Sequence, residues 1–304
     1  MGKSILDGRS KSLIAKQQSI QSLHSLIAST LEQHGITENH IEADIIIMDA
    51  LAITRVELIS SQDSIVSTDQ LHSIKSIITR RMHREPLAYI LGYQPFYGLD
   101  FAVNSNVLIP RPETELLVEE ILNITTSDNN LSVADIGTGS CVIAVTLAIM
   151  RDNYKFYAVD QSAAAVDLAR QNAKAHNVLG KIDFKTGHLF ANTKDKFDVI
   201  VSNLPYIPSS RLDQLDPELS WEPLQALDGG PDGSEVISKL IYQSALHVKP
   251  NSSIFLEIDH SHSDKLINIT NKIFPASSIQ IKQDLQGFDR ILIIKPFGRK
   301  SNLI

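Results

Sequence analysis

The chain has 304 residues, 43% apolar and 21% charged, enough to bury one large core or two ordinary ones. Its net charge of −7 divides as −1 over residues 1–86 and −6 over the rest, which excludes the global positive field of a protein that grips nucleic acid through phosphates. No apolar run approaches the roughly 18 to 20 residues that span a bilayer, and Cys141, the sole cysteine, allows no internal disulfide and points to a reducing cytoplasm.

The opening MGKSILDGRSKS lacks the apolar segment of a signal peptide, and Leu6 stands where a myristoylation signal needs Ser or Thr, so neither secretion nor lipidation is expected. Ile20, Leu23, Ile27 and Leu31 then keep a helical period that Gly35 stops, and Ile41 to Ile53 form a second apolar helix. Ser67 and Gln70 make a capping box in front of the stripe Leu71, Ile74, Ile78 and Met82. Pro86 closes this region. Within it KSIITRRMHR is basic, and two readings stay open: a solvated helix face, or a contact patch for ribosomal RNA or an acidic partner. Residues 1–85 are therefore expected to form a helical domain that docks substrate or acts as a lid. Residues 86–109 read as a β-hairpin linker, with turn signals at Gly98 and at Asn104-Ser105-Asn106.

From residue 110 to 304 the pattern alternates strand and helix. Pro112 suits the first position of a helix, with Glu113 and Glu115 in its first turn. Strand LSVADIG, helix 141–151, strand KFYAVD, helix 162–176, strands KIDFKTG and FDVIVSN, helix 234–248, strand SSIFLEI and helix 263–273 follow. Strands near 278–283 and 290–295, joined through DLQGFD, suggest an antiparallel hairpin at one edge. The fold class is α/β: a doubly wound, Rossmann-like, mostly parallel sheet preceded by a small all-α domain, with ligands at the carboxyl ends of the strands.

VADIGTGSCVIA is a strand entering a glycine turn and then a helix. Gly137 and Gly139 let the backbone turn tightly and approach a ligand. Val142 occupies the third glycine position of a dinucleotide fingerprint, and no Gly-Lys-Ser/Thr follows, so neither NAD, FAD nor a P-loop nucleotide fits. Asp160 ends the next strand, placed to accept both hydroxyls of a ribose. An adenosine ligand without phosphates is implied, and S-adenosyl-L-methionine fits; no metal is expected. Asp135 could cap the turn or contact the ligand.

The stretch IVSNLPYIP ends a buried strand in Asn203, on the same cleft. The Asn203 side-chain oxygen and the Leu204 backbone carbonyl can each take one hydrogen of a substrate NH2 group. Leu204 precedes Pro205 and is biased to extended backbone, which aims that carbonyl. Tyr206 offers a flat wall to a planar group.

At these residues the chain resembles the HemK/PrmC family, the N5-glutamine methyltransferases that modify peptide chain release factors. The resemblance runs through REPLAYILG, FYGLDFAVNSNVLIPRPETELLVEE, DIGTGSCVIAV, AVDQSAAAVDLARQNA, SNLPYIP, EPLQALDGGPDG and DLQGFDRILI, with LIPRPETE the most family-specific piece. It implies S-adenosyl-L-methionine as donor and the Gly-Gly-Gln glutamine of class I release factors as acceptor. It places Gly137, Thr138, Gly139, Ser140 and Cys141 on the methionine side, Asp160 on the ribose, and Asn203, Leu204, Pro205 and Tyr206 on the glutamine. His188 and Leu189 fall where the family holds the adenine. A cytoplasmic monomer with no membrane and no direct nucleic-acid contact is expected.

The chain departs from the family pattern in several places. Leu204 replaces a proline, where only a backbone carbonyl is needed. Cys141 replaces a glycine, either as a small packing residue or as a thiol made reactive by a helix N-terminus. His188 stands where an aspartate is usual, and LEIDHSH lacks the family's glycine after Glu-Ile. Two other readings remain open: an adenine N6 methyltransferase acting on RNA, which shares the Asn-Leu-Pro-Tyr logic, and a non-catalytic binding module of the same fold.

Overall fold

The computed structural model describes residues 18–125, 130–191 and 193–295, and the chain divides into two compact units, Met1–Gly92 and Tyr93–Ile304. The opening dodecapeptide lies outside the described residues.

The first unit is helical. It contains α1 (Ile20–Gln33), α2 (Asn39–Leu51), α3 (Arg55–Ser60), α4 (Thr68–Arg81) and α5 (Leu87–Leu91). The stripe Ile20, Leu23, Ile27 and Leu31 is buried, and it packs with Ile46 and Ile47 of α2 and with Leu71, Ile74 and Ile78 of α4. The capping box of Ser67 and Gln70 is present, and Thr54 with Glu57 forms a second one at α3. Pro86 does not end the helical region but precedes α5, which stops at Gly92 in the left-handed conformation.

The basic run is mostly engaged within the unit. Arg81 is buried and bonds both oxygens of Glu42 at 2.7 and 3.0 Å, tying α4 to α2. Arg80 pairs with Glu85, and Arg84 donates to the carbonyls of His34 and Gly35 at 3.1 and 2.6 Å. These three arginines hold helix ends together, a role that neither sequence reading anticipated.

The second unit opens with a hairpin, β1 (Tyr93–Phe96) and β2 (Leu99–Ala102). Tyr97 and Gly98 both have positive φ, as a two-residue turn matching the strand twist requires. A 3-10 turn at Pro112–Thr114 leads into α6 (Glu115–Ile124). Then come β3 (Ser132–Ile136), α7 (Val142–Met150), β4 (Lys155–Asp160), α8 (Ala163–Ala175), β5 (Ile182–Thr186), β6 (Phe197–Ser202), α9 (Glu235–His247), β7 (Val248–Glu257), α10 (Ser263–Ile273), β8 (Ser278–Gln283) and β9 (Asp289–Lys295). The seven-stranded sheet has the order β5-β4-β3-β6-β7-β9-β8. The first five strands pair in parallel; β9 runs antiparallel between β7 and the edge strand β8.

One apolar cluster covers each face of the sheet. Val145 and Leu147 of α7 lie on one side with Val133, and Leu240 and Ile241 of α9 on the other with Ile200. The strand order reverses about β3, so the crevice at the carboxyl ends of β3, β4 and β6 is where such sheets bind ligands.

Candidate active site

The β3–α7 turn is shaped by its backbone. Gly137 and Thr138 both donate to the Val159 carbonyl of β4, at 2.8 and 2.9 Å. Gly137, Gly139 and Cys141 all have positive φ, so the turn needs left-handed conformers that glycine supplies without strain. A Cβ on Gly139 would meet nothing within 4 Å, leaving open space above its backbone; one on Gly137 would come within 2.7 Å of Leu204 Cδ2. The Leu204 side chain is 8% exposed and packs on that glycine. Its backbone carbonyl is therefore not its only contribution to the site.

Asp135 acts inside this turn. Its Oδ2 accepts from Thr138 Oγ1 at 2.8 Å and from the Ala144 amide in the first turn of α7 at 3.3 Å. The other oxygen is buried with no hydrogen-bond partner among the described residues. Burial pushes its carboxyl up to about 7 despite those two donors. Cys141 is fully buried, and both burial and the Asp135 carboxylate push its thiol up. It is a packing residue, not the thiolate that a helix N-terminus can create.

Asp160 at the end of β4 braces the glycine turn. Its Oδ2 accepts from the Gly139 amide at 3.0 Å and its Oδ1 from the Ser162 amide at 2.9 Å. Burial raises its carboxyl, partly offset by these amides. After β5, Gly187 donates to the Asp160 carbonyl at 2.8 Å, which carries His188 and Leu189 to the same side.

Gly137, Thr138, Gly139, Ser140, Asp160, His188, Leu189, Asn203, Leu204 and Pro205 line one cleft of about 620 Å³. Cys141, expected on the methionine side, is not in that lining and is buried in the apolar core. Tyr206 lines a smaller adjoining recess of about 170 Å³, with Leu108 and Arg111, and Asn203, Leu204 and Pro205 border both spaces.

The backbone after Asn203 is gripped from behind. Ile207 donates to the Leu227 carbonyl at 3.1 Å and accepts from the Gly229 amide at 2.9 Å. A Cβ on Gly229 would come within 2.7 Å of Tyr206 Cα, and one on Gly233 would collide with the Tyr206 carbonyl oxygen. These contacts explain why DGGPDG is rich in glycine. Buried Glu222 ties LIPRPETE to this segment: it pairs with Arg111 and accepts from the Ile109 amide at 3.0 Å.

Residues 23–92 match the PrmC N-terminal domain, and residues 112–216 the methyltransferase small domain. Over 264 residues the chain is 35% identical to a release factor glutamine methyltransferase of Geobacter sulfurreducens, covering 86% of this chain and 91% of the relative. A relative of the same description from Thermodesulfovibrio yellowstonii is 36% identical over 260 residues, covering 84% and 91%. The chain belongs to the release factor glutamine methyltransferase family. Among solved structures, the hMettl16 catalytic domain in complex with MAT2A 3'UTR hairpin 1 is 13% identical, with a TM-score of 0.55 over 75% of this chain and 83% of that one, a likeness of fold alone.

The cofactor of this methyltransferase fold is S-adenosyl-L-methionine, and the cleft suits it. Among the described residues no lysine or arginine lines the space, and Val142 in the lining stands where a dinucleotide turn has its third glycine. Gly139 leaves room for close approach, and Asp160 is the acceptor at the strand end where a ribose would lie. Sequence reasoning assigned no role to Thr114, Glu222 or Glu257. Thr114 Oγ1 donates to Glu257 Oε2 at 2.7 Å and accepts from Asn203 Nδ2 at 3.0 Å. The signal available was their presence in LIPRPETE, EPLQALDGG and LEI; the contacts themselves join residues up to 143 positions apart.

Proposed function

We propose that this chain transfers a methyl group from S-adenosyl-L-methionine to the side-chain amide nitrogen, N5, of the glutamine in the Gly-Gly-Gln loop of class I peptide chain release factors. The observation that carries the reading is Asn203, a neutral amide at the border of the two recesses, in a chain whose relatives are release factor glutamine methyltransferases. Gly137 to Ser140, Asp160, His188 and Leu189 hold the donor in the larger space, and the glutamine enters beside Tyr206.

The bound donor supplies an electrophilic methyl on a sulfonium. An amide nitrogen is a weak nucleophile, so the protein acts by positioning and by stabilising charge that grows on nitrogen. The Asn203 side-chain oxygen and the Leu204 carbonyl each accept one hydrogen of the substrate NH2, leaving its remaining face toward the methyl. Pro205 stiffens the chain that aims the carbonyl. Tyr206 donates toward Glu257 at 3.4 Å, and burial with the Glu257 charge raises its phenol, so it stays protonated as a wall. No strong base is required, because an N-alkylated amide cation releases its proton readily.

The helical residues 1–85 dock the release factor, 86–109 link, and 110–304 carry the chemistry. Among the described residues no helix is long and apolar enough to cross a membrane. We place the enzyme in the cytoplasm as a monomer that does not contact nucleic acid directly. Intact-mass analysis of a class I release factor co-expressed with this chain tests the function: one added methyl, mapped to the Gly-Gly-Gln glutamine, is expected. An unmodified factor beside a chain that binds the donor would refute the substrate.

A further inference from the structure

An asparagine amide is nearly symmetric in shape but not in chemistry: one end accepts hydrogen bonds and the other donates. Catalysis as proposed above works only if Asn203 presents its oxygen to the substrate NH2. Rotated by half a turn, Asn203 would set NH2 against NH2. We propose that Thr114 and Glu257 are positioning residues that fix this orientation, by a hydrogen-bond relay whose direction starts at the Glu257 carboxylate. The inference rests on the glutamine-methyltransferase reading and extends it.

The relay has one consistent sense. Ionised Glu257 carries only acceptors, so the single Thr114 hydroxyl hydrogen goes to it, at 2.7 Å. The Thr114 oxygen then has lone pairs left, and a lone pair takes a hydrogen from Asn203 Nδ2, at 3.0 Å. Asn203 Oδ1 is thereby left for the substrate. Both Thr114 and Glu257 are about as buried as side chains get, at 2% and 1% exposure, so water does not compete for these positions. The same carboxylate reaches Tyr206 Oη through its other oxygen, at 3.4 Å. One group at the end of β7 thus steadies both polar side chains of the Asn-Leu-Pro-Tyr turn.

A buried carboxylate with so few donors is expensive to keep. A leucine there would suit the core better but would give the relay no direction. The charged and titratable groups facing Glu257 are Arg290 of β9, Glu113 of the turn before α6, and Tyr206; Arg111 and Asp259 act on Tyr206. Burial outweighs the favourable ones and pushes Glu257 up to about 7. Protonated Glu257 would donate to Thr114, which could then donate to Asn203 and let the amide turn over. Methyl transfer should therefore fall as pH drops through the Glu257 ionisation.

The test is single-turnover methylation of a purified class I release factor by the full chain at saturating donor, with calorimetric donor affinity and a thermal melt for each variant. Thr114→Val removes the hydroxyl and keeps the shape; its rate constant should fall on the order of a hundredfold, with donor affinity within about twofold of wild type. Thr114→Ser restores the hydroxyl and should recover most of that loss. In Glu257→Gln the acidic limb of the wild-type pH–rate profile should disappear. Thr114→Val at wild-type speed overturns the relay, as does Thr114→Ser as slow as Thr114→Val, which would trace the loss to packing. If Thr114→Val does not fold, an acidic limb that persists in Glu257→Gln overturns it. A wild-type enzyme that binds the donor and leaves the release factor unmethylated overturns the substrate reading and this inference together; that result differs from an active wild type matched by Thr114→Val.

Discussion

Asp160 braces the glycine turn, and in the proposed site the same carboxylate also takes the donor's ribose. Its oxygens already take the amides of Gly139 and Ser162, and the donor's ribose would use the lone pairs that remain. Asp160→Ala removes a charged acceptor and also frees the glycine turn. Donor affinity should weaken by roughly 1.5 to 3 kcal/mol, the range for hydrogen bonds to a charged group. Calorimetry checks this, and unchanged affinity would take Asp160 out of the donor site. Leu204 is a different case. Its carbonyl is the proposed contact to the substrate, while its side chain fills the space over Gly137. Leu204→Pro keeps the carbonyl and the extended backbone but trims a packed side chain. Methyl transfer should stay within about tenfold of wild type, or roughly 1.4 kcal/mol in barrier, while the melting temperature falls. Abolished turnover with intact donor binding would show that the leucine shapes the substrate recess.

Helices joined by arginines make the first unit depend on charge as well as on its apolar stripes. Arg81 is 4% exposed and meets both oxygens of Glu42. Arg81→Met would strand a carboxylate between α2 and α4, and such losses run to about 3 to 5 kcal/mol. Arg81→Lys should rescue little, because an ammonium cannot reproduce the two-pronged contact. Thermal unfolding of the full chain is the measurement, and equal melts for Arg81→Met and wild type would refute the claim. Nothing local in KSIITRRMHR announces this role, since Glu42 lies 39 positions away. Signals that are local read well. The stripe Ile20, Leu23, Ile27 and Leu31 and the Ser67–Gln70 capping box each lie within a few turns of chain, and both occur where the periodicity places them. By contrast α5 is five residues long, too short to show a period behind Pro86. The insertion of β9 between β7 and β8 is a pairing choice that alternation alone cannot express. The same limit hid the polar relay of the site: Asn203 was legible as a strand-end amide, but its partner Thr114 is 89 positions away.

Buried acids tie stability to pH in the sheet-bearing unit. Glu257 and Asp135 are both pushed up to about 7 by burial, from ordinary values of 4.5 and 3.8. Between those limits the folded protein holds protons that the unfolded chain releases. Their stabilisation is therefore complete below about pH 4 and is lost as pH rises through about 7. Asp198 runs the other way: burial works to raise it, but its bonds to Lys249 and Ser132 together outweigh burial and lower it, so its contribution is present above its unfolded value and is lost in acid. Glu257→Gln isolates one of these effects. Glutamine cannot ionise, so the variant should gain on wild type as pH rises from about 5 to 8. The gain should reach the order of 3 kcal/mol, because each tenfold change in proton affinity between the folded and unfolded chain is worth roughly 1.4 kcal/mol. Chemical denaturation at several pH values reads the difference directly. A gap between variant and wild type that stays constant with pH would mean that Glu257 titrates like an exposed acid. The relay demands the opposite compromise from the same group. Ionised Glu257 orients Asn203 for methyl transfer, and ionised Glu257 is the form the core tolerates least. Wild-type turnover should therefore rise across the very pH window in which this carboxylate erodes the fold, whereas Glu257→Gln should lose the rise in turnover and keep only the part of the stability loss that Asp135 contributes.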